Sequence, residues 1–148
     1  MIATTPQSDL HSPAELLVAA HMLVDAGDVQ LLRSAVLEAM TCLESYVKDV
    51  VFKALNSKLD ALLVKWLEDK TRMDFDTRLQ LLTPIATGHP ITTQSNLWEH
   101  YKKAREIRNK VAHTGKRISR EDASFVLHCV EDWLAYLVSS VGIELSLR

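Results

Sequence analysis

Glycine and proline are scarce in this chain, four of each in 148 residues, about 5% where average usage is about 12%. A fold of many short strands needs turn residues at nearly every reversal, so this shortage points to helices. No proline falls between Ala14 and Thr83 and none follows Pro90, which leaves long uninterrupted stretches for them. Cysteine is equally sparse. Cys42 and Cys129 stand 87 positions apart, match no C-x-x-C spacing for metal or redox chemistry and suggest no disulfide framework, so a reducing cytoplasm is the expected compartment. The longest run without Asp, Glu, Lys or Arg, Leu79 to Trp98, contains Pro84, Gly88, His89 and Pro90, and no membrane span is expected. The opening MIATTPQSDLHS lacks the basic and then apolar layout of a signal peptide.

What is present is ordinary for a globular domain: 47% hydrophobic and 24% charged residues. At this length folding buries roughly 68 to 70% of the unfolded surface, enough for a core without staples. Helix ends are marked by their caps. Ser12, Pro13 and Glu15 open a helix that Gly27 closes. Asp28 caps the next, and Leu32, Val36, Ala39, Leu43, Tyr46, Val47, Val50 and Ala54 draw one long stripe to Leu55, the expected central helix. Ser57 and Asp60 restart the pattern, with Leu59, Leu62, Leu63, Trp66 and Leu67 on one face of a helix ending near Glu68. A shorter helix, Phe75 to Leu82, is expected to stop at Pro84, followed by a loop over Thr83 to Ser95. Asn96 to His113 is helical again, closed by Gly115. Ser119 and Asp122 open the final helix, which carries Phe125, Val126, Val130, Trp133, Leu134, Leu137 and Val138 toward Ser140. The expected architecture is one all-α domain of five or six helices. Its core spans about 28–141, preceded by an extra helix over 12–27 and a flexible stretch over 1–11.

The net charge of −2 conceals an asymmetry. From Glu99 to Arg120 eight cations, Lys102, Lys103, Arg105, Arg108, Lys110, Lys116, Arg117 and Arg120, face two acids, Glu99 and Glu106, so the rest of the chain carries −8. Two readings stand: a solvated helix face, or a patch for the phosphates of RNA or DNA. Inside this segment lies REIRNKVAHTG, Arg105 to Gly115. The apolar side of its helix runs Leu97, Tyr101, Ala104 and Val111, with Arg108 where a core or interface residue is due. Such an arginine needs a carboxylate, a neighbouring subunit or an anionic ligand. Burial inside a monomer would strand its charge at a cost of several kcal/mol, whereas a two-fold pairing of this helix would leave a shared cleft lined by two Arg108 and two His113. A homodimer joined along that stripe, with Ala104 in the seam, is the expectation.

Arg108, Asn109, three residues and His113, at a helix end before Thr-Gly, resemble the R-x4-6-H signature of the HEPN superfamily (higher eukaryote and prokaryote nucleotide-binding), in particular standalone HEPN chains of the RiboL-PSP and MAE type. Leu43-Glu44 on the earlier long helix and the basic turn TGKRIS before the closing helix resemble its layout too. The resemblance covers roughly Asp28 to Val141. It implies a HEPN-like bundle of four to six helices that dimerises and, in catalytic members, cleaves RNA without a metal or other cofactor. Arg108 and His113 then carry the chemistry with Asn109 beside them. An acidic or polar residue from an earlier helix supports them, here Glu44, with Glu38 as the alternative. Arg105, Lys110, Lys116 and Arg117 contact RNA. It also implies a toxin or phage-defence role, beside a cognate antitoxin or a nucleotidyltransferase. The alternative is a non-catalytic dimeric module that binds nucleotides or protein.

The residue types suit that chemistry. Attack by a ribose 2'-hydroxyl needs a group that moves protons near neutrality, and histidine has an ordinary pKa of about 6.5. Charge building on the phosphorane calls for the planar fork of an arginine. The product would carry a 2',3'-cyclic phosphate. His11, His21 and His89 read as structural or surface residues and His100 as exposed. His128 and Cys129 point about 100 degrees apart on a helix and form no ligand pair. Trp66, Trp98 and Trp133 lie on apolar faces and read as core.

Overall fold

The computed structural model describes residues 13–26, 29–69, 74–91, 95–113 and 117–141. The chain is an all-α bundle. Its helices are α1 (Pro13–Ala26), α2 (Val29–Asn56), α3 (Ala61–Asp69), α4 (Phe75–Thr77), α5 (Thr83–Thr87), α6 (Ser95–His113) and α7 (Arg120–Val141), with a π-helical turn, Arg78–Leu82, joining α4 to α5. Among the described residues there is no strand, and no helix is long and apolar enough to cross a membrane. The expected caps at Ser12, Gly27, Asp28 and Gly115, together with the stretch 1–11, lie outside the described residues.

The long stripe on α2 makes it the axis of the bundle, packed against α1, α3, α5, α6 and α7. Neighbours on several sides bury more of it than one stripe. Ala35, Met40, Cys42, Val51 and Leu55 join Val36, Ala39, Leu43, Val47 and Val50 in the core. α7 supplies the opposing surface through Ala123, Val126, Leu127, Val130, Trp133 and Leu137, all buried, while Val138 is exposed. Its start is fixed as expected: Ser119 Oγ accepts from the Asp122 amide at 3.0 Å. Trp133 is fully buried yet satisfied, donating its indole N–H to the Leu97 carbonyl at 3.1 Å.

Two expectations are corrected. On α3 the buried residue is Val64, whereas Leu62 is 80% and Trp66 53% exposed, so Trp66 is not core. This nine-residue helix docks against α2 and covers only a narrow strip of itself. The helix before Pro84 also does not end there. Thr83 N–H reaches back five residues to the Arg78 carbonyl, and this wide turn lets Pro84 enter the first turn of α5, where its missing N–H leaves no α-helical bond broken. Gly88, at φ 82°, supplies the left-handed stop instead, donating to the Pro84 carbonyl at 2.8 Å.

Cys42 and Cys129 are buried and form no disulfide. Burial pushes the Cys42 thiol up to about 11 and, with the Asp132 charge adding to it, the Cys129 thiol up to about 12. The thiolate is the reactive form, so at pH 8 about one thiol in a thousand or fewer is ionised. Both are expected to resist a thiol reagent in the native protein and to react fully in denaturant. Rapid native labelling would show instead that the α2–α7 core opens locally.

Candidate functional site

α6 presents three kinds of surface along its second half. Tyr101, Ala104, Ile107 and Val111 are buried against the chain's own core, Arg105 and Arg108 lie at the edge of that face, and Asn109, Lys110 and His113 are exposed. Arg108 therefore does not interrupt the apolar stripe. Ile107 takes the core position, and the arginine sits beside it with 31% of its side chain exposed. Its charge is met within the monomer: Arg108 Nη2 stands 3.6 Å from Glu44 Oε1 of α2. At that distance the contact is an ion pair, too long for a hydrogen bond. Arg108 Nε is buried without a hydrogen-bond partner. The expectation that α6 needs a second subunit to neutralise Arg108 is thus corrected, and so is the placement of Ala104 in a seam, because Ala104 is fully buried in its own chain.

The two candidate acids occupy different sides of α2. Glu44 faces α6. Glu38 lines a groove of about 580 Å³ on the α1 side of α2, beside Glu15, Leu16 and Met22.

Much of the basic run is engaged in local structure. Arg105 is bonded to Asp76 of α4, a carboxylate that also accepts the Tyr101 hydroxyl. Tyr101 is packed among Phe75, Trp98 and Trp133, with ring centroids 5.7, 5.4 and 6.2 Å away. Burial pushes its phenol far above the ordinary tyrosine range, so it acts as a hydrogen-bond donor. Lys102 pairs with Glu99 at 2.9 Å, and Lys103 lies over the Phe125 ring, 4.4 Å from its centroid. Lys110 and Arg117 are exposed at the His113 end, and Lys116 lies outside the described residues.

The other described histidines lie elsewhere, and His11 is outside the described residues. His21 bonds Glu131 between α1 and α7, His89 is exposed after α5, and His100 meets Phe125 edge to face at 5.4 Å. His128 is exposed while its neighbour Cys129 is buried.

Two neighbours of the site were not foreseen. Asp76 has no local sequence signal that points it at α6. Arg33 of α2, which donates from Nη2 to the Val111 carbonyl at 2.9 Å, does have one. It precedes Glu44 by eleven residues, close to three helical turns, and so shares its face of the helix. No protein-family model, curated protein or solved structure matches the chain.

Proposed function

We propose that this protein is a metal-independent endoribonuclease whose site is the C-terminal end of α6, with Arg108 and His113 as its reacting groups. What supports this reading most directly is a partly exposed guanidinium at the α2–α6 seam, opposed by Glu44, less than two turns before an exposed histidine. In the proposed step His113 takes the proton of a ribose 2'-hydroxyl, whose oxygen attacks the adjacent phosphorus. Arg108 donates to the non-bridging oxygens as charge builds there. The bond from phosphorus to the 5'-oxygen breaks, a protonated imidazole gives that oxygen its proton, and a 2',3'-cyclic phosphate remains. Glu44 holds Arg108 at the seam, and Asn109 flanks the scissile phosphate.

The attacking 2'-oxygen and the leaving 5'-oxygen lie on opposite sides of the phosphorus in an in-line displacement, so one histidine is poorly placed to serve as both base and acid. A homodimer that pairs the exposed ends of α6 would supply two, one in each role. Its interface would use the polar edge at Asn109 and Lys110, since the apolar face is already covered. A role as a toxin or phage-defence component, restrained by an antitoxin or joined to a nucleotidyltransferase, is the biological setting that the HEPN resemblance implies.

The direct test incubates the purified chain with RNA in EDTA and examines the fragment ends. Cyclic phosphate termini, lost in the His113→Ala variant, are expected. Binding without cleavage would favour the non-catalytic module. A second test addresses RNA tethering by Lys110 and Arg117. Replacing both by alanine is expected to raise KM and lower the slope of log affinity against log salt by about 1.5 to 2. An unchanged slope would return these side chains to a solvated face.

A further inference from the structure

α2 touches the functional end of α6 twice. Glu44 opposes Arg108, and three turns earlier Arg33 Nη2 donates to the Val111 carbonyl at 2.9 Å. The two contacts bracket Arg108 to Val111, the stretch that leads into His113. Val111 lies in the last turn of α6, where carbonyls have no partner inside the helix and where a cation is favoured by the helix dipole. Arg33 is half-buried, so its bond competes with water less than a fully exposed one would.

We propose that Arg33 is a positioning residue. By holding the Val111 carbonyl it keeps the last turn of α6 wound, and thereby keeps His113 in register with Arg108. Its catalytic consequence rests on the ribonuclease reading above, but its effect on the order of α6 does not. The guanidinium suits the task because its several N–H groups bind a carbonyl in a fixed direction without any proton being lost near neutral pH.

The test compares Arg33→Met, which keeps the apolar stem and removes the donor, with Arg33→Lys, which restores a charged donor. Amide hydrogen exchange over Lys110 to His113 is expected to quicken about tenfold in the methionine variant, with the middle of α2 unchanged, and to recover partly in the lysine variant. In RNA cleavage the methionine variant is expected to lose about tenfold in kcat at constant KM, the mark of a misplaced reacting group, and lysine to rescue part of it. Unaltered exchange would overturn the proposal whatever happens to activity. Faster exchange with a raised KM and unchanged kcat would overturn it too, making Arg33 an RNA contact. A wild-type chain that cleaves no RNA would remove the ribonuclease reading, and the exchange rates alone would then decide whether Arg33 orders this turn. Should the methionine variant fail to fold, the lysine variant carries the same two measurements with smaller expected changes.

Discussion

Alanine at His113 is expected to lower RNA cleavage by about 10² to 10⁴-fold, the usual contribution of a general acid or base. Alanine at Arg108 should cost about 10² to 10³, the scale of a lost donor to a developing oxyanion. Neither change should unfold the protein. His113 is exposed, and the Arg108–Glu44 pair is open enough to solvent that its loss is worth about 0 to 1 kcal/mol. Loss of cleavage with an unchanged thermal midpoint would therefore be chemical in origin. Arg108→Lys sharpens the test, because lysine keeps the charge opposite Glu44 but cannot present two parallel donors to a phosphate. Most activity is expected to be lost. A fully active lysine variant would mean that Arg108 tethers RNA through charge alone, and cleavage that survives alanine at both positions would move the site away from α6.

The sequence carried the fold through two signals, caps and apolar period. The Ser119 cap and the α2 stripe are local features, and both appear where the pattern put them. What escaped was decided by tertiary contacts. Pro84 reads as a stop only if the preceding turn is α-helical, and whether a π turn forms depends on packing that no local pattern reports. The α6 stripe was read one residue off. A 3-4 alternation after Ala104 admits either Ile107 or Arg108, and the packing of α6 against α2 and α7 buries Ile107. For the candidate site, Arg108, Asn109 and His113 could be read as one group because they fall within six residues of one helix. Glu44 and Glu38 lie six residues apart on one helix, and which of them stands opposite Arg108 is a matter of packing that no local pattern reports. Asp76 and Arg33 come from other helices, and only Arg33 shares a face with a residue already suspected.

The one-residue shift in the α6 stripe has a measurable consequence at Ala104. Were α6 the apolar seam of a dimer, Ala104→Glu would release folded monomers. In the observed packing Ala104 is fully buried on the face of α6 that also buries Tyr101 and Ile107, so a glutamate there must force extra atoms and a charge into a filled core. Overpacking costs about 1 to 3 kcal/mol, and an unpaired buried charge costs several more. A chain of this size is stable by about 5 to 15 kcal/mol in total, so the variant is expected to lose most or all of its fold. Circular dichroism should show a collapsed helical signal, or a thermal midpoint lowered by about 10 °C or more. Asn109→Glu is the control, since that side chain is exposed on the same helix and its replacement should alter stability by no more than about 0.5 kcal/mol. If the two-fold pairs the polar ends of α6, it is Asn109→Glu that should yield folded monomers, visible by light scattering. A folded monomeric Ala104→Glu protein would reverse both assignments and return the apolar side of α6 to an interface.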